Sequence, residues 1–60
     1  MYTIKTKTAM ATREIRFNNR NQAYDMFFEY VIVFDSEEIP AIVEMYDDER
    51  LVMRNYVRSF

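Results

Sequence analysis

The chain has no glycine in its sixty residues, and this omission constrains it more than any residue that is present. Glycine takes a left-handed backbone without steric cost and lets main chain approach a phosphate closely. Its absence excludes a phosphate-cradling loop and a dinucleotide fingerprint. It also makes tight hairpins hard to close, because the favoured two-residue turns need positive φ. Cysteine and histidine are missing as well. Disulfides, thiolate metal sites, the commonest zinc ligand and the Ser-His-Asp and Cys-His nucleophiles therefore drop out.

A chain of this length is one small domain, residues 1–60, that buries only about 60% of the surface its unfolded form exposes. Half of it is hydrophobic and 17% aromatic, too apolar for disorder, so it is expected to fold. The supplement to so small a core is expected from a partner, either a second copy or another protein. Ser36 and Ser59 are the only serines, and neither has a base nearby in sequence. Asp35, Glu37 and Glu38 form one acidic cluster and Asp47, Asp48 and Glu49 another. Either could hold a hard cation, but neither has EF-hand spacing, so both read as solvated turns. No catalytic residue, cofactor or metal is expected. The most apolar run, Met26 to Phe34, is broken by Glu29 and falls far short of the ~20 residues of a membrane span. With no signal peptide and no cysteine, the expected location is the cytoplasm.

Periodicity gives the elements. Tyr2, Ile4, Thr6 and Thr8 alternate with Thr3, Lys5 and Lys7, the period of a strand with one dry face. Arg13 to Phe17 alternates too, and a hairpin with Ala9 and Met10 at its tip sets Ile4 against Ile15, Tyr2 against Phe17 and Lys5 against Glu14. Neither tip residue favours positive φ, so a longer loop is the alternative. Asn19 followed by Gln22 reads as a capping-box variant. Ala23, Phe27, Tyr30, Val31 and Phe34 then recur on one helical face as far as about Asp35. The β-prone run Tyr30 to Phe34 conflicts with this locally; length and cap favour the helix, which Pro40 ends at or before Ile39. Ala41, Val43 and Met45 next alternate with Ile42, Glu44 and Tyr46, and Leu51, Met53 and Val57 with Val52, Arg54, Tyr56 and Arg58. A hairpin closed around Asp48 to Arg50 opposes Met45 to Met53, Glu44 to Arg54, Tyr46 to Val52 and Ile42 to Tyr56. The expected fold class is α+β: ββαββ, one helix packed on a four-stranded antiparallel sheet.

Three surface features bear on function. Phe28 and Ile32 fall one turn apart on the outward side of the helix beside Asp25, Glu29 and Asp35, a contact stripe unless the sheet curls to cover them. The uncovered sheet face carries Ile42, Tyr46, Val52 and Tyr56 with Arg54 and Arg58, residue types frequent at binding hot spots but equally suited to cross-strand stabilisation. Charge is segregated: residues 1–22 hold five bases and one acid, residues 23–49 nine acids and no base, and the last eleven three bases. Acids are thus expected on the helix, its exit and one hairpin tip, and bases on the open sheet face. Such a dipolar surface suits a protein partner or a second copy. A base-stacking platform on the sheet is the weaker alternative, because the chain is net acidic at −2 and lacks a dense basic groove.

The hairpin from Tyr2 to Phe17, the apolar helix and the closing hairpin from Ala41 to Val57 with acids at its tip resemble, in plan, small accessory proteins of bacteriophages and other mobile elements. The resemblance implies a non-enzymatic inhibitor. Such a protein would bind a bacterial defence or nucleic-acid-processing complex in the host cytoplasm and block it by occupying a site, often as a homodimer. The alternatives are a nucleic-acid-binding regulator using the Tyr/Arg sheet face and a purely structural oligomerisation module.

Overall fold

The computed structural model describes residues 1–58. Strands β1 (Tyr2–Thr8) and β2 (Thr12–Phe17) precede helix α1 (Arg20–Ser36), and β3 (Ala41–Asp47) and β4 (Arg50–Val57) follow it. The sheet order is β2-β1-β3-β4, with every neighbouring pair antiparallel. The architecture is the ββαββ expected from periodicity. Because β2 and β3 both flank β1, they run parallel to one another, and the helix carries the chain over β1 from one to the other.

The first hairpin has the expected register, with Ile4 opposite Ile15, Tyr2 opposite Phe17 and Lys5 opposite Glu14. Its tip stays at Ala9 and Met10, neither of which takes positive φ. The Thr8 amide donates to the Ala11 carbonyl at 2.9 Å. The Thr8 hydroxyl oxygen accepts from the Met10 and Ala11 amides, each at 3.2 Å. A side-chain oxygen here satisfies the turn's amides, so no glycine is needed.

The second hairpin departs from expectation at its tip. Ala41–Val57, Ile42–Tyr56, Glu44–Arg54 and Met45–Met53 pair, but beyond Met45 the register shifts and Tyr46 opposes Leu51, not Val52. Val52 is the extra residue of a β-bulge, which reverses the inside-outside parity of the strand beyond it. Leu51, expected on the dry face, is therefore exposed. The shift lets the turn close on two residues between Asp47 and Arg50, with Asp48 at φ 55°, a conformation aspartate tolerates better than most side chains.

Asn19 is the helix N-cap; its Oδ1 accepts from the Gln22 amide at 3.1 Å. The β-prone run Tyr30 to Phe34 is helical throughout, because only a helix puts Phe27, Tyr30, Val31 and Phe34 on the side that meets the sheet. At the far end the Ile39 amide donates to the Phe34 carbonyl at 2.8 Å and the Glu38 amide to the Asp35 carbonyl at 3.1 Å. This is a Schellman ending, and it places Glu38 at φ 59° where glycine is usual. The core is the row Ile4, Ala41, Val43, Met45 and Val57 under Ala23 and Phe27. Alanine on both sides, at positions 23 and 41, lets helix and sheet approach closely.

Glu38→Gly should stabilise the fold. Left-handed strain of roughly 1–2 kcal/mol, less the ~0.5–1 kcal/mol that glycine loses in backbone entropy, leaves a gain of roughly 0.5–1 kcal/mol in urea unfolding.

Candidate functional site

Packing decides which face of α1 remains free. Ala23 and Phe27 are buried, with Tyr24, Tyr30, Val31 and Phe34 packed against them. At 100° per residue, Phe28 and Ile32 point away from that set. They are 53% and 63% exposed. The Phe28 ring meets Phe27 edge-on, with centroids 5.4 Å apart, which steadies it on the surface. Asp25, Glu29 and Asp35 are exposed on the same helix. The expected helix stripe is thus brought together on one surface.

Asp35 differs from the other two acids. The last turn of α1 contains no base, although its free carbonyls favour a cation there. Arg58, at φ 53° just past β4, supplies that cation from 23 residues away. Its Nε donates to the Asp35 carbonyl at 3.1 Å and lies 3.6 Å from the Asp35 carboxylate, and its Nη2 lies 3.6 Å from Glu38. The expectation that Arg58 lies on the open sheet face fails for this reason: the helix terminus and its two carboxylates attract it away.

The open sheet face also differs from the expected basic surface. Register sets Glu14, Lys5, Glu44 and Arg54 in one row across β2, β1, β3 and β4, alternating in sign. Glu44 is 2% exposed, covered by its neighbours' side chains and not by the core. Arg54 Nε donates to Glu44 Oε2 at 2.7 Å, Tyr46 Oη donates to Oε1 at 3.1 Å, and Lys5 Nζ sits 5.4 Å from the Tyr46 ring centroid. Burial pushes the Glu44 carboxyl up, but the hydrogen bonds from Arg54 and Tyr46 and the charges of Arg54 and Lys7 outweigh it, and the carboxyl stays below its ordinary range. Of the residues expected on this face, Tyr56 and Val52 are exposed, Ile42 and Tyr46 are half-buried and Arg54 is held by Glu44. Sequence reasoning paired Glu44 with Arg54 but missed its burial. The signal is the glutamate itself, set mid-strand between bases on two neighbours, and reading it requires the strand order.

Two further features were not anticipated. A recess of about 380 Å³ opens between the C-terminal half of the helix and the first hairpin, lined by Thr6, Thr8, Met10, Arg13, Tyr30 and Phe34. Ile15 faces the core side of the sheet, yet on the edge strand β2 it lies beyond the helix and is 38% exposed. Among the described residues, no three carboxylates converge as a metal site, and no helix is long and apolar enough to cross a membrane. Ser36 is exposed at the helix end; Ser59 lies outside the described residues. Compared with known protein families, curated proteins and solved structures, the chain matches none.

Glu44→Ala should cost roughly 1–3 kcal/mol at pH 7, since it strands the partners of a covered carboxylate. The folded-state pKa of Glu44 lies below its unfolded value, so its contribution is full above about pH 4.3 and is lost as pH falls through the folded pKa. The gap between wild type and variant in urea unfolding should therefore narrow on acidification.

Proposed function

We propose that this chain is a non-catalytic protein-binding module that works by occupying a site on another protein, with the outward face of α1 as its contact. The observation that carries this reading is the pair Phe28 and Ile32, one helical turn apart and more than half exposed, in a domain whose core is complete without them. Leaving such area in water forgoes about 25 cal/mol per Å², a free energy recovered when a partner covers it. Asp25 and Glu29 beside the pair suit a partner whose apolar groove has a basic rim, and their charge would speed encounter. The resemblance in plan to accessory proteins of mobile elements supports inhibition of a bacterial defence or nucleic-acid-processing complex as the outcome.

A nucleic-acid platform on the sheet has less support. Arg54 is engaged by Glu44 and Arg58 by the helix end, so two of the bases that would meet phosphates already have carboxylate partners, which leaves Lys5, Lys7 and Arg16 as a sparse basic set.

Immobilised wild-type protein should retain a specific partner from bacterial lysate. Phe28→Asp should weaken that capture about thirtyfold or more, as loss of a hot-spot aromatic does. Its urea midpoint should barely move, because the residue is exposed. Tyr56→Ala, on the opposite face, should retain the partner. Equal capture by Phe28→Asp, or salt-sensitive oligonucleotide binding lost with Tyr56→Ala, would overturn the assignment.

A further inference from the structure

The sheet has two edges, and they differ. β4 is interrupted by the bulge at Val52, one of the devices that stop a strand edge from pairing with another chain. β2 has no bulge and no proline, and all its residues but the half-buried Phe17 are exposed. In an antiparallel ladder, hydrogen-bonded pairs recur at every second residue. The Thr8 amide bonds the Ala11 carbonyl, so Arg13, Ile15 and Phe17 direct their backbone groups at β1. Thr12, Glu14 and Arg16 direct theirs outward, where no strand among the described residues receives them.

We infer that β2 joins two copies of this chain edge to edge, in one continuous antiparallel sheet, about a two-fold axis at Ile15. A second copy is favoured because one register at the middle of the edge makes it self-complementary in charge. The outward amides require Glu14 and Arg16 to oppose outward-directed residues of the second copy. Shifts that centre the axis on Arg13, Glu14 or Arg16 set like charges directly opposite, which is destabilising. With the axis at Ile15, Glu14 opposes Arg16 of the second copy, and the same pair repeats by symmetry. Both side chains lie on the open face, so two cross-strand ion pairs extend the charged row across the junction. On the helix side, Ile15 packs on its own symmetry mate, which covers an apolar side chain that faces coreward yet is 38% exposed. Arg13 lies opposite Phe17 of the second copy, on the same side. An isologous contact of this kind is closed and stops at two copies. Asp25, Met26 and Glu29 line an open surface recess with Phe17, so β2 lies along the flank of the helix that carries those two acids. Phe28 and Ile32 lie on the other flank and stay free in both copies.

Light scattering and sedimentation equilibrium from micromolar to millimolar chain test this. The wild type should reach twice its 7.4 kDa mass. Glu14→Arg and Arg16→Glu should each weaken association about tenfold or more by opposing like charges twice. The double variant Glu14→Arg/Arg16→Glu should restore the dimer. Amide exchange of the unaltered protein guards against misfolded variants: at dimer concentrations the Glu14 and Arg16 amides should be protected, and on dilution they should lose that protection. A monomer at every concentration, a dimer that both single variants leave intact, or a dimer in which those two amides still exchange freely would each overturn the inference. Phe28→Asp should leave the mass unchanged, so failure here and failure of the helix-face reading are separable.

Discussion

Ile4 on β1 and Val43 and Met45 on β3 are sealed beneath Ala23 and Phe27, and everything else in the molecule is placed by that contact. The two hairpins are local structures that turns and periodicity can build separately, but an isolated hairpin in water is marginal. Only the seam between β1 and β3 makes them one sheet. Because the helix bridges β2 to β3, it must lie over that seam, and its wet side is fixed once Phe27 points down. The exposure of Phe28 follows from the burial of its neighbour.

Much of this was legible in the residues because period two and period 3.6 are hard to mistake when both faces are satisfied. Ile4 with Ile15 and Met45 with Met53 each leave a matched wet pair beside them, so register followed without a known turn. The Asn19 cap was equally plain. What escaped had a common physical cause. The Val52 bulge, the turn at Asp48 and the reach of Arg58 to the helix end depend on contacts between distant segments, or on a backbone conformation that no local pattern announces. Strand order escaped too, and with it the burial of Glu44, since a carboxylate between two bases is visible only when β1 and β3 are known neighbours. On the helix, by contrast, the candidate stripe was readable because a single element determines it.

Electrostatics sharpen the functional reading. Sequence segregates acids from bases along the chain, but folding reunites many of them: Arg54 with Glu44, and Arg58 with Asp35 and Glu38. The net field of the open sheet face is consequently milder than its base count suggests, and the unpaired acid near the apolar stripe is concentrated at Asp25 and Glu29. Along the helix, Arg20 stands at the N-terminal end, Asp25 and Glu29 near the middle, and at the exit Arg58 offsets one of the three carboxylates Asp35, Glu37 and Glu38.

The seam has a kinetic corollary. Residues that meet across it are some forty positions apart, as with Ile4 and Met45, so the loop to be closed spans most of the molecule before any reward arrives. Fragments cut within the helix would each keep a hairpin and lose the roof that dries it. The polypeptide should therefore unfold as one cooperative unit despite its modular look.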